Sequence, residues 1–163
     1  MKILTTFFIL TLPLNLFAQH NVVGRYRDYF GNGIQINADN TFKYTWNFDL
    51  SASWTKGTWQ LKGDTIYFHM VPVYDTVSFL KGSGATVDTL ILSDDEVSGR
   101  ISREQSVPTA LSSGGQNRMA HPEKLVFKKG RLFKVANGKL ITKKQKGILS
   151  GKKWDPWFFK SDD

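Results

Sequence analysis

Between Thr41 and Phe48 the chain alternates with a period of two. Phe42, Tyr44, Trp46 and Phe48 fall on one side, and Thr41, Lys43, Thr45 and Asn47 on the other. Successive side chains of a strand point to opposite faces. The spacing therefore predicts a strand with one buried aromatic face and one wet polar face, whereas a helix would scatter the same rings around its circumference. Shorter segments of this kind recur. Gly24 to Arg27 opens the series, Gly33 to Asn37 follows the turn signal Gly31-Asn32-Gly33, and Trp54 to Leu61 follows the aromatic strand. The stretch from Thr65 to Met70 sets Ile66, Phe68 and Met70 on one face. Further strands are predicted from Val77 to Leu80, Val87 to Leu92, Leu125 to Lys128, Leu132 to Val135, Lys139 to Thr142 and Trp157 to Lys160. Gly63-Asp64, Gly82-Ser83-Gly84, Lys129-Gly130 and Asn137-Gly138 separate them, the last being the strongest hairpin signal because both residues tolerate positive φ.

A small echo supports the strand pattern. Asp64-Thr65-Ile66, Asp75-Thr76-Val77 and Asp88-Thr89-Leu90 each place a turn-forming Asp before a β-favouring Thr and an apolar residue, and Asp39-Asn40-Thr41-Phe42 is a looser version. Their irregular spacing marks strand starts and not a solenoid. About eight to ten short strands with turns every ten or so residues predict an all-β protein, an antiparallel up-and-down barrel whose closure removes exposed edges. The stretch from Ser93 to Pro122 departs from the pattern. It is rich in Ser, carries Gly99, Gly114, Gly115 and Pro108, and beyond a short strand near Val97 and Ile101 has no clear period. It reads as a long loop, either mobile, a lid, or an element that the pattern misses.

The N-terminus has a different character. Lys2 is followed by a mostly apolar run from Ile3 to Phe17, and Leu16-Phe17-Ala18 presents a small residue before Gln19. This is the layout of a secretory signal peptide over residues 1–18, cut between Ala18 and Gln19. The run is short of the roughly 20 residues needed to span a bilayer and holds Pro13 and Asn15. No later stretch is long enough to span. The expectation is one exported domain over residues 19–163, periplasmic or secreted. The chain has no cysteine. This excludes a disulfide scaffold, a thiolate metal site, a cysteine nucleophile and an acylated-cysteine anchor. Stability must then come from packing, for which nineteen aromatic residues lie beyond the signal segment.

The net charge of +8 hides an asymmetry. Residues 19–100 hold 7 basic and 9 acidic side chains, and residues 101–163 hold 14 basic and 5 acidic. From Lys124 to Lys153 there are eleven Lys or Arg and no acid. Lys128, Lys129 and Arg131, with Lys143, Lys144 and Lys146, are candidates for a face that meets an anionic partner such as lipid or acidic glycan. The plainer alternative is lysines that solvate hairpins and blunt strand edges. Nucleic acid would need the same basic footprint, but export argues against it.

Candidate chemistry is sparse. The three histidines are His20, His69 and His121, with no metal-ligand spacing, so neither a metal nor another cofactor is expected. There is no Gly-x-Ser-x-Gly elbow and no phosphate-cradling glycine loop. Ser112-Ser113-Gly114-Gly115 reads as flexible loop, and Asp94-Asp95-Glu96 as a turn after the Val87 strand. No catalytic residue is assigned. Tyr44, Trp46, Trp54 and Trp59 are candidates for ligand binding, since indole stacks on sugars and lines apolar pockets, and the alternative is that they are core. In a regular strand Trp54 and Trp59 face opposite sides, and a bulge at Gly57 would bring them together.

Gly24-x-Tyr26 resembles the Gly-x-Trp that opens lipocalin barrels, with Tyr in the Trp position. The run from Gly57 to Ile66, and the ending from Lys124-Leu125-Val126-Phe127 through Gly138-Lys139-Leu140, are similar to small exported bacterial lipocalin-like proteins. The resemblance implies an up-and-down barrel that holds a small apolar ligand. It departs from that family in lacking both a lipid-anchored cysteine and the usual lipocalin disulfide. The expectation is a monomeric, non-enzymatic barrel binding a small apolar or amphipathic molecule. The alternatives are an envelope interaction protein using the basic C-terminal face, and a hydrolase with residues 93–122 as its lid.

Overall fold

Eight antiparallel strands close into a barrel. The computed structural model describes residues 21–161 apart from 83, 112, 113, 118, 148 and 150. The signal segment, the Ala18–Gln19 junction, His20 and the Ser112-Ser113 pair lie outside the described residues. The barrel strands in chain order are β1 (Gly24–Arg27), β2 (Asn32–Ile36), β3 (Thr41–Phe48), β4 (Ser51–Lys62) and β5 (Thr65–Met70), followed by three later ones. An excursion then carries β6 (Tyr74–Leu80), β7 (Thr86–Leu92), β8 (Arg100–Ile101) and the helix α1 (Arg103–Leu111). The chain re-enters the wall as β9 (Lys124–Lys128) and β10 (Arg131–Ala136), extends β10 with β11 (Lys139–Leu140), and makes a hairpin of β12 (Gln145–Lys146) and β13 (Lys153–Trp154). The final strand, β14 (Phe158–Lys160), pairs with β1 on one side and β10 on the other, and so shuts the cylinder. The strand order is β1-β2-β3-β4-β5-β9-β10-β14, with no free edge in the ring.

Alternation builds the interior. Phe42 and Tyr44 of β3 are buried, and Trp46 packs against the same cluster. Tyr26, Ile34, Ile36, Trp59, Ile66, Phe68, Leu125, Leu132 and Phe158 come from seven other strands to meet them. Outward positions include Arg25, Arg27, Gln35, Lys43, Lys56 and Gln60, with Trp54 and Phe159 among the rings that also face out. No helix among the described residues is long and apolar enough to cross a membrane.

Several local expectations change. The strand expected from Trp54 starts earlier, at Ser51, after the two-residue turn Asp49-Leu50, where Asp49 takes φ +54° without help from glycine. Gly57 forms no bulge, because β4 pairs in unbroken register with both β3 and β5. Its missing side chain instead lets β5 close in: a Cβ there would lie 2.0 Å from the His69 carbonyl oxygen. Asp64 does precede a strand, but Asp75 and Asp88 lie inside β6 and β7. Asp75 is buried and accepts the Gly99 N–H at 2.7 Å, and Asp88 holds Arg100 at 2.9 Å.

The stretch 93–122, read as a loop, contains β8 and α1. Ser102 and Gln105 cap α1 reciprocally: the Gln105 N–H donates to Ser102 Oγ at 3.2 Å, and the Ser102 N–H to Gln105 Oε1 at 2.8 Å. Beyond the helix the chain returns to the wall. β4 has twelve residues and β5 six, which leaves the first half of β4 without β5 beside it. Gln116 bridges Trp54 there, and the Asn117 N–H donates to the Trp54 carbonyl at 2.8 Å.

Candidate functional site

The four ligand-binding candidates separate into two environments. Tyr44 and Trp59 are core: they are 4% and 2% exposed, and each spends its polar atom on a neighbour. The Trp59 indole N–H donates to the Asn37 carbonyl at 2.9 Å, and the Tyr44 hydroxyl donates to Asn32 Oδ1. Trp46 leans on that core and stacks on Phe48. Trp54 points outward on β4, where its indole N–H donates to the Asp94 carbonyl at 3.0 Å. Trp54 and Trp59 therefore stay on opposite faces. The centre of the barrel is filled by Trp59, Tyr26, Phe158, Ile36, Ile66, Leu125 and Leu132, all fully buried.

A buried polar network sits below Tyr44, and sequence reasoning missed it. Asp28 Oδ1 accepts the N–H groups of Phe30 and Asn32 at 2.8 and 3.0 Å, while Oδ2 accepts Asn32 Nδ2 at 2.7 Å and Lys134 Nζ at 3.1 Å. The Asp28 side chain is wholly buried. Its ion pair is tolerable because every lone pair is used. Burial, together with the nearby Asp28 charge, pushes the Tyr44 hydroxyl up to about 12. Burial alone does the same for Tyr26, whose hydroxyl donates to the Val22 carbonyl at 3.0 Å. The available signal was Asp28 itself, a residue that favours an Asx turn two residues on.

Two grooves score the outer wall. One, of about 600 Å³, runs between β2–β4 and the excursion, with Gln35, Asn37, Thr41, Lys56 and Thr58 on the wall. Glu96 straps it through contacts from Lys43 Nζ to its carboxylate and from Lys56 Nζ to its carbonyl. The other, of about 320 Å³, shares Gln35 and Lys43 and adds Arg25 and Arg27. Asp94-Asp95-Glu96 is thus a bend that fastens the excursion to the barrel.

The six basic candidates also divide. Lys128, Lys129 and Arg131 flank the β9–β10 turn, at the end of the barrel that holds the β4–β5 turn, since the Phe127 N–H donates to the Asp64 carbonyl at 2.7 Å. Lys143, Lys144 and Lys146 lie by the β12–β13 hairpin, at the opposite end beside the β1–β2 turn, where Tyr29 stacks on Trp154 at 4.5 Å. Lys144 faces Asp155 at 3.6 Å. A stripe of cations over rings joins the two groups along β10, β14 and β1. Arg131 lies over Trp157 at 5.2 Å, Arg27 over Phe159 at 5.6 Å, and Lys152 over Trp154 at 4.2 Å. Phe133 and Tyr29 extend it, against Trp157 and Phe159. Each ring holds its cation near the surface by the ring quadrupole and leaves the charge facing out.

These features define a class: a closed eight-stranded antiparallel barrel, filled inside, with a cation-over-aromatic stripe on its outer wall. No family model, no curated protein and no solved structure matches the chain.

Proposed function

We propose that this protein is an exported binding module, and that its working surface is the basic outer wall over β9, β10, β14 and the β12–β13 hairpin. Its partner presents closely spaced phosphate or carboxylate groups, as an anionic lipid surface or an acidic glycan does. The observation that carries this reading is the stripe itself. Residues 124–160 hold twelve Lys or Arg against Asp155 as their one acid, and three of the stripe's cations are held over rings. Lys134 does not belong to this surface, because it turns inward to Asp28. Opposite charge supplies the attraction, and the rings keep long flexible side chains in place, which lowers the ordering cost on contact. Export rests on the apolar N-terminal run and the Ala18–Gln19 junction. Surface binding is also supported over an internal ligand because Tyr44 and Trp59 are already buried within the core cluster.

The test is binding to a heparin matrix and to anionic vesicles across a salt series. Binding should be strong at low ionic strength and fade as the Debye length falls from about 10 Å at 0.1 M to about 3 Å at 1 M. Replacing Lys128, Lys129 and Arg131 with Gln, or Lys143, Lys144 and Lys146 with Gln, should each shift the fading to lower salt. Absence of binding to both probes at low salt would refute the reading.

A further inference from the structure

One end of the barrel combines exposed apolar side chains with the basic hairpin. Leu50 occupies the tip of the β3–β4 turn and is 88% exposed, and Leu149, between β12 and β13, is 89% exposed. Leucine is a poor choice for a turn tip, where Gly, Asn, Asp and Ser serve geometry and solvation better. The two loops share one end of the molecule. The Asn47 N–H donates to the Gly31 carbonyl at 2.9 Å, which ties the β3–β4 turn to the β1–β2 turn. Tyr29 of the β1–β2 turn stacks on Trp154 of β13. A cleft of about 250 Å³ opens between them, lined by Tyr29, Phe30, Phe48, Leu149 and Trp154. Lys152 stands over the Trp154 ring, and Lys146 and Lys153, paired across the same hairpin, are exposed beside it.

We infer that this end inserts into the interface of an anionic phospholipid bilayer. The inference rests on the reading of the basic wall and names its partner. Aliphatic tips reach the acyl boundary, Tyr and Trp suit headgroup depth because one end of each ring is apolar and the other wet, and lysines meet the lipid phosphates. An acidic glycan would use the lysines but gives Leu50 and Leu149 nothing to enter. A second copy of the chain would bring the same lysines face to face. Asp28, Asp49 and Asp155 are the nearby acids; Asp28 is buried against Lys134 and Asp155 faces Lys144, so the exposed lysines of this end keep an excess of positive charge that complements anionic headgroups.

The experiment compares the wild type with the double variant Leu50→Ser/Leu149→Ser on two probes: vesicles of phosphatidylcholine with phosphatidylserine, and heparin. Thermal melts confirm that both proteins are folded. The wild type should bind the vesicles with a blue shift of tryptophan emission and quenching by brominated lipid, and Trp154→Phe should remove most of that quenching. The double variant should bind vesicles roughly tenfold more weakly or worse, because two apolar side chains no longer leave water, while heparin retention stays as in the wild type. Vesicle binding unchanged in the double variant, or bound protein without quenching, overturns the insertion and leaves the basic-wall reading intact. Loss of heparin and vesicle binding together in the wild type overturns both. Concentration-dependent dimerisation that the same double variant abolishes assigns the tip to a second copy and also overturns the inference.

Discussion

The barrel interior and the wall around β14 use the same residues for opposite ends. Inside, Trp59 is 2% exposed, its ring lies among Ile, Phe and Tyr, and its N–H is answered by a backbone carbonyl. Outside, Trp154 and Trp157 lie against the flank of the wall under Lys152 and Arg131. Phe158 and Phe159 make the contrast within one strand. Phe158 is fully buried, and Phe159 faces out beneath Arg27. Aromatic content alone therefore says little about where a protein binds. What separates the two regions is exposure: Phe158 also lies beside a cation, Lys134 at 5.1 Å, but that cation is spent inward on Asp28, whereas Arg27, Arg131 and Lys152 are exposed.

The difference can be broken most severely from the inside. Trp59→Ala should destabilise the fold by about 3–5 kcal/mol, as large-to-small core substitutions do, and denaturant unfolding would measure it. Trp157→Ala on the wall should cost far less. Equal losses would mean that the outer rings are core in all but name. A middle effect is expected at the buried network. Lys134→Met removes the cation from a wholly buried carboxylate and should cost about 1–3 kcal/mol. Lys128→Met, on the surface, should stay within about 0.5 kcal/mol. The smallest effect concerns pH. Tyr26 and Tyr44 sit at about 12 in the fold, raised from 10.0. A raised folded-state value means that their contribution is fully present below pH 10 and is lost as pH rises through about 12. Absorbance titration should show these two tyrosines ionising late, with stability falling over the same window, whereas simultaneous ionisation of all five tyrosines would place both in water.

Much of the barrel was legible because parity is local. Thr41–Phe48 is observed as β3 with the bounds that its alternation predicts. The same parity also decides Lys134. Leu132 points in, so the residue two positions on points in as well, and a lysine in a basic run becomes the partner of Asp28. The turn at Asp49-Leu50 was illegible because it uses neither glycine nor asparagine. The helix α1 was hidden by a weak apolar period, although Ser102 and Gln105 wrote its cap into the chain. Harder still were the pairings that make the wall. Tyr29 meets Trp154, and Arg27 meets Phe159, only because β14 returns to close the ring against β1. Periodicity carries no information about such distant partners, so the charge asymmetry was visible in sequence but its union with the rings was not.

The central claim is that the wall binds and the interior does not. Amide chemical-shift mapping with a short heparin oligosaccharide tests it most directly. The account predicts shifts at Arg27, Arg131, Lys152 and Trp157 that collapse with added salt, and a silent interior at Tyr44, Trp59 and Phe68. Shifts concentrated on those interior strands, with the wall unmoved, would contradict it.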